Sequence, residues 1–271
     1  MKVAALQMVS ALEWSTNQAS AKALLMRAHD AGVELTVLPE YFGAMGRQDT
    51  DKLDYAEIPG QGPMQDFLAG MAQSLGLWIV GGTVPLRGSD ARHVLNASLV
   101  FAPSGACVAR YDKIHLFHFD NGRERYDEGR VVEAGSEPVC VDVQARDGGR
   151  WRVGLSVCYD LRFPELYRLH ARAGADLLLV PAAFTATTGR AHWETLLRAR
   201  AVENLAYVLA SGQGGVHENG RQTWGHSMLV DPWGELVQQQ VLGEGLVMGT
   251  LSRERLAQVR AQLPALEHRI L

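Results

Sequence analysis

Three residues of different chemical types stand where strand-like runs stop, and their side chains could converge: a carboxylate, an ammonium and a thiol. Glu40 follows a proline in TVLPEYF, Lys113 ends the strand pattern of VARYDKIHLF, and Cys158 closes the apolar run of WRVGLSVCYDLRFPEL. A thiol displayed by a turn stands in a nucleophile's position, and a lysine held on an apolar surface could donate to a developing oxyanion or share a proton with a carboxylate. Each residue alone also has a plainer reading: a surface glutamate at a strand exit, a solvated edge-strand lysine, and a packed thiol. The surroundings of Cys158 weigh towards chemistry. Pro164 and Glu165 suit the first turn of a helix, so the cysteine falls on a strand-to-helix turn that lifts its side chain out of the sheet near free backbone N–H groups.

Taken in order, TVLPEYF, YDKIHLF and GLSVCYDLRFPEL resemble the carbon-nitrogen hydrolase family, often called the nitrilase superfamily. The resemblance runs over essentially the whole chain, read as one domain from 1 to 271. AAFTATTGRAHWETLLRARAVENLAYV and GHSMLVDPWGELV look like segments of the amidase branch, and QLPALEHR resembles the closing helix of deaminated glutathione amidases. The resemblance implies a four-layer αββα sandwich, a homodimer or higher homo-oligomer, and a hydrolase that needs no cofactor.

The resemblance also assigns roles. Cys158 attacks an amide carbonyl, Glu40 is the general base, and Lys113 with the backbone N–H of Tyr159 holds the oxyanion. A thioacyl enzyme forms, ammonia leaves and water releases the acid. A second glutamate lies in the loop between lysine and cysteine; Glu128 aligns best, with Glu124 and Glu133 close enough to compete. Arg162 is placed either to grip a substrate carboxylate or to bridge to Asp160. Phe184 and Thr188 either line the pocket or serve as core residue and helix cap. Deaminated glutathione is the first substrate implied, α-ketoglutaramate and similar short monoamides cleaved by ω-amidases the second. A non-catalytic binding protein on the same fold is the reading from another class, and the intact Glu40, Lys113 and Cys158 speak against it.

These residues need elements to hold them. Apolar runs at KVAALQM, VELTVLPEYF, LWIVGGTVPL, ADLLLVPAAF and YVLASGQ predict strands, the fourth stopping at Pro181. Helical periodicity covers about 17–31, a stretch with Pro63 near its start and Gly76 past its end, 164–173, 191–205 and 253–263. VLNASLVFAPSGACVARYDK and GHSMLVDPWGELVQQ read as hairpins, and 119–137 as a long polar loop. Strands alternating with helices and mixed with hairpins predict an α/β layered fold with a mixed sheet.

Composition narrows the partners. The 271 residues are 47% hydrophobic and carry a formal net charge of −4, which offers no basic footprint for nucleic acid or an anionic membrane and leaves a small molecule as the expected partner. No run is long enough for a transmembrane helix, and the N-terminal stretch breaks at Gln7, unlike a signal peptide. The cysteines Cys107, Cys140 and Cys158 are odd in number and unpaired in spacing, which predicts a cytoplasmic, reducing address. No HExxH or paired CxxC appears, and His115 and His118, three apart in extended chain, face opposite ways, so no metal site is predicted.

Overall fold

The computed structural model describes residues 1–270. In chain order its elements are β1 (Lys2–Gln7), α1 (Trp14–Asp30), β2 (Leu35–Val37), α2 (Asp51–Asp54), α3 (Pro63–Leu75), β3 (Trp78–Val80), β4 (Val84–Arg87), β5 (Val94–Phe101), β6 (Cys107–Asp112), β7 (His118–Asp120), β8 (Arg125–Asp127), β9 (Val132–Glu133), β10 (Cys140–Gln144), β11 (Arg150–Leu155), α4 (Pro164–Arg172), β12 (Leu177–Ala182), α5 (Ala186–Asn204), β13 (Tyr207–Gly212), β14 (Ser227–Val230), β15 (Leu236–Gln240), β16 (Gly245–Thr250) and α6 (Arg253–Gln262).

Strand β1 shows how one run serves two layers. Its side chains alternate across the sheet. Val3 and Ala5 join a core that also holds Trp151, Val153 and Leu155 of β11, while Ala4 and Leu6 pack with Leu24, Leu25 and Ala28 of α1 and Leu68 and Ala72 of α3. On the far side, Leu166 and Tyr167 of α4 and Trp193, Leu197 and Ala201 of α5 cover the second sheet. The result is an αββα sandwich, in which each fully buried Leu or Val contributes about 1.5–3 kcal/mol.

The first sheet runs β16-β1-β2-β3-β5-β4, with β6 and β9 also on β5, and the second runs β10-β11-β12-β13-β14-β15. Each is built on three parallel strands: β1, β2 and β3 in one, β11, β12 and β13 in the other. Strand β12 is buried at every position, as a central parallel strand covered on both faces must be. Glu40, Cys158, Ala183 and Gln213 all lie just past the C-terminal ends of these strands, where α/β sheets commonly gather functional groups.

The structure corrects several sequence expectations. Strand β12 continues one residue past Pro181, which pairs in register with Ser211. Helix α5 begins at Ala186, about five residues earlier than its periodicity suggests. Thr185 is its cap, its hydroxyl accepting from the Thr188 N–H at 3.3 Å, so Thr188 sits inside the first turn and caps nothing. The stretch 119–137 is not a structureless loop: it takes in most of the β7–β8 hairpin, a 3-10 turn at Glu128–Arg130, and β9, which adds in parallel to β5. Only the first residue of QLPALEHR is helical, because α6 ends at Gln262 and Pro264 follows.

Candidate active site

Glu40 leaves β2 through Pro39, and the next residue, Tyr41, takes a left-handed backbone with φ 58°. Such a conformation is unusual for a residue with a side chain and marks a constrained turn. Gly82 makes it possible: at φ 53° it packs so closely that a Cβ would lie 2.0 Å from the Pro39 carbonyl oxygen. The Glu40 carboxylate is then 1% exposed. Its Oε1 accepts from Lys113 Nζ and Asn96 Nδ2, each at 2.9 Å, and its Oε2 from the Ala183 N–H at 2.9 Å. Neither the surface reading of Glu40 nor the solvated reading of Lys113 survives, since Lys113 is equally buried.

Lys113 also bonds both oxygens of Glu128, at 3.0 and 2.7 Å. Glu128 in turn accepts from the Tyr41 hydroxyl at 3.0 Å, the Phe117 N–H at 2.8 Å and Asn96 at 3.3 Å. The competing glutamates lie elsewhere: Glu124 accepts from Thr187, and Glu133 from the Ser89 N–H. Burial works to raise the Glu128 carboxyl, but the Lys113 ammonium and the Phe117 N–H outweigh it and hold the group below the usual carboxylate range. Burial likewise opposes the charge on Lys113, yet Glu128 and then Glu40 raise it above the ordinary lysine range. The ammonium is therefore locked on.

Cys158 opens a 3-10 turn, Cys158–Arg162, with φ 51°. A strained turn between a strand and a helix lifts a side chain out of the sheet and exposes it. Burial, and then the negative charge of Glu40, push its thiol well above the ordinary cysteine range, with Lys113 pulling partly back. The thiol is thus protonated at rest beside a carboxylate that can accept its proton. Asp160 fixes this turn. Wholly buried, it accepts from the Val157 N–H at 2.8 Å, the Tyr111 hydroxyl at 2.7 Å and the His115 N–H at 3.0 Å, and meets His115 Nδ1 at 2.7 Å. It ties the segment carrying Lys113 to the turn carrying Cys158.

Arg162 therefore does not bridge to Asp160. Its guanidinium stands over the rings of Tyr159 and Phe184, 5.7 and 5.2 Å from their centroids, and touches His192 Nδ1 at 3.1 Å. Tyr159, Arg162, Phe184 and Thr188 line one small cavity with Glu40, Lys113, Glu128 and Cys158. Those eight residues, each given a place in the site by the sequence, thus reach one cavity, while Glu124 and Glu133 do not. Phe184 serves two ends, since its other side packs on Trp193 at 4.8 Å.

The matched family model is that of carbon-nitrogen hydrolase, over residues 2–261. This chain belongs to the carbon-nitrogen hydrolase family. It is 42% identical to the deaminated glutathione amidase of Synechocystis over 98% of this chain and 97% of that one, and 35% identical to human omega-amidase NIT2 over 92% and 88%. Among solved structures it is similar to Saccharomyces cerevisiae Nit3, a member of the nitrilase superfamily, with a TM-score of 0.89 at 30% identity over 100% of this chain and 97% of that one. It is also similar to a glutamate-to-glutamine mutant of the Nesterenkonia amidase in which acrylamide has added to the active-site cysteine, with a TM-score of 0.78 at 26% identity over 97% and 98%.

Reading this carbon-nitrogen hydrolase from sequence misses Asn96, Tyr41, Phe117, Asp160 as a clamp, the Ala183 N–H and Arg221. Asn96 does leave a signal, a lone amide inside the apolar run VLNASLVF, and buried polar groups are the informative exceptions in a core. Arg221 leaves none, standing in the polar stretch HENGRQTW. Its guanidinium lies 6.0 Å from the Tyr41 ring centroid and 5.3 Å from that of Tyr126, and it donates to the Ala183 carbonyl at 3.2 Å.

Proposed function

We propose that this chain hydrolyses the amide bond of deaminated glutathione through a thioacyl intermediate on Cys158. The observation that carries the reading is the enclosed cluster in which one ammonium is held by two carboxylates beside the Cys158 thiol. Glu40 takes the thiol proton as sulfur attacks the carbonyl carbon, so no free thiolate need build up beforehand. Lys113 and the Tyr159 N–H receive the oxyanion. Glu40 then hands its proton to the departing nitrogen, and later takes one from the water that cleaves the thioester. Glu128 keeps Lys113 charged and aimed. No step calls for a metal or a cofactor.

Arg162 at the cavity wall suits a substrate with a carboxylate on its acyl side. A keto acid fits that description in both candidate substrates, which differ in the amine they lose. The expectation that ammonia leaves holds for a primary amide such as α-ketoglutaramate; deaminated glutathione loses a dipeptide. The small inner cavity, of about 30 Å³, supports the shorter ω-amidase substrates as the second reading. The wider space beyond it, described below, supports the longer one.

The test is the kcat/KM of the purified protein on deaminated glutathione, α-ketoglutaramate, succinamate, an N-carbamoyl amino acid and a nitrile. The keto acid product is assayed for the first two, and ammonia for the others. Preference for deaminated glutathione is expected. Preference for α-ketoglutaramate transfers the chain to the ω-amidase reading, and silence on all five restores the binding-protein reading.

Three wider readings complete the proposal. Residues 1–271 act as one catalytic domain, supported by the family match across 2–261. A homodimer is supported by exposed apolar side chains on α4, α5 and the β14–β15 hairpin, among them Leu169, Val202, Trp233 and Val237. A cytoplasmic address is supported by three cysteines, an odd number, none of them paired with another in the fold. No helix among the described residues is long and apolar enough to cross a membrane.

A further inference from the structure

The inner cavity adjoins a much larger, more open one, of about 620 Å³, and Asp49, Tyr126 and Arg221 line both. The outer cavity is cationic. Arg47, Arg123, Arg125, Arg130 and Arg221 face it against only Asp49 and Glu124, and both acids are engaged, Asp49 by Lys52 at 3.1 Å and Glu124 by the Thr187 hydroxyl at 2.8 Å. Arg221 differs from the other four. They are exposed, whereas its Nε is shut off from solvent and has no hydrogen-bond partner. Among the described residues no carboxylate lies within ion-pair distance of it. A guanidinium beside two tyrosine rings, lining both cavities and with no carboxylate partner of its own, suits a carboxylate brought in from outside.

The direction of the reaction places that carboxylate. The departing nitrogen must face Glu40, which protonates it. Arg221 lines the inner cavity with Glu40, and it donates to the carbonyl of Ala183, the residue whose N–H holds Glu40 Oε2. Arg162, by contrast, lines only the inner cavity. We propose that Arg221 binds the carboxylate of the leaving amine, so that the outer cavity selects amides whose leaving group is a carboxylate-ended peptide. Arg162 is left for the acyl side. The inference rests on the amidase reading above and assigns its specificity to one residue.

The test uses three amides of the same keto acid: the dipeptide amide itself, that amide with its terminal carboxyl converted to carboxamide, and the primary amide. With wild-type enzyme, converting the carboxyl should lower kcat/KM by about tenfold to a hundredfold. Arg221→Gln should lose the same factor on the dipeptide amide relative to the primary amide, mostly in KM, and lose little more when the carboxyl is converted as well. Arg221→Lys should restore part of the loss. An equal loss of all three activities in Arg221→Gln, or a wild-type enzyme indifferent to the converted carboxyl, overturns the proposal. Wild-type hydrolysis of the primary amide alone overturns the substrate reading as well, and wild-type rates separate that case from a failure of Arg221.

Discussion

At the scale of single residues, the chemistry turns on Glu40 doing two things to Cys158. Its charge helps to keep the thiol protonated, and in the proposed mechanism its basicity removes that proton when a carbonyl is in place. These effects come apart in Glu40→Gln. Amide turnover should fall by at least about a hundredfold, the usual worth of a positioned base. The thiol should become more acidic, because its largest electrostatic opponent is gone while the favourable Lys113 charge stays. Alkylation of Cys158 by iodoacetamide at pH 8 should therefore proceed at least as fast in Glu40→Gln as in wild type. A variant slow in both reactions would mean that Glu40 governs access or folding and is not the base. Cys158→Ser should lose both reactions and keep its fold.

At the scale of elements, the site is where seven chain segments meet, and bonds between segments hold it together. Asp160 clamps two of these, and it is the place to test whether the clamp or the local turn positions the nucleophile. Asp160→Ala leaves the Tyr111 hydroxyl and the N–H groups of Val157 and His115 without their acceptor, so denaturant unfolding should show a loss of about 3 kcal/mol. Asp160→Asn keeps a carbonyl acceptor and should retain more of both stability and kcat. If Asp160→Ala unfolds like wild type, the turn is self-supporting. This also explains what the sequence could show. Glu40, Lys113 and Cys158 were legible because each follows a strand ending, a local signal, and Glu128 because its loop resembles that of a known family. Strands β1, β12 and β13 were legible as apolar runs. The Asp160 clamp depends on a partner 49 residues away, and the Ala183 N–H on one 143 residues away; no periodicity reports such pairs. The hairpin and 3-10 turn within 119–137 were hidden by polar composition, since their bonds are made by backbone and by Glu128.

At the scale of the whole molecule, burying so many titratable groups fixes the pH range in which the fold is most stable. On the acid side, burial holds His170 and His217 below the ordinary histidine range. Their folded pKa values are depressed, so the stability they allow is present above about pH 6.5, the unfolded value, and is lost as pH falls towards the folded ones. Glu128, also depressed, adds a further loss at lower pH. On the alkaline side the signs reverse. Cys158 and the buried Tyr41, Tyr111 and Tyr167 are all raised, by burial first. The native state keeps protons that the unfolded chain releases from about pH 8.5 for the thiol and about 10 for the phenols. Stability should therefore be flat between about pH 6.5 and 8.5 and fall on both sides, more steeply above pH 10 as three phenols act together. Thermal unfolding followed from pH 5 to 10.5 measures this directly. A Tm still rising from pH 7 down to 5, or level from 9 to 10.5, would show that these groups relax into solvent before the fold opens. In that case the enclosed charge cluster at Lys113 would not stay dry in the working enzyme. Cys158→Ala sharpens the test, because it should delay the onset of the alkaline fall towards the tyrosine range while leaving the acid limb in place.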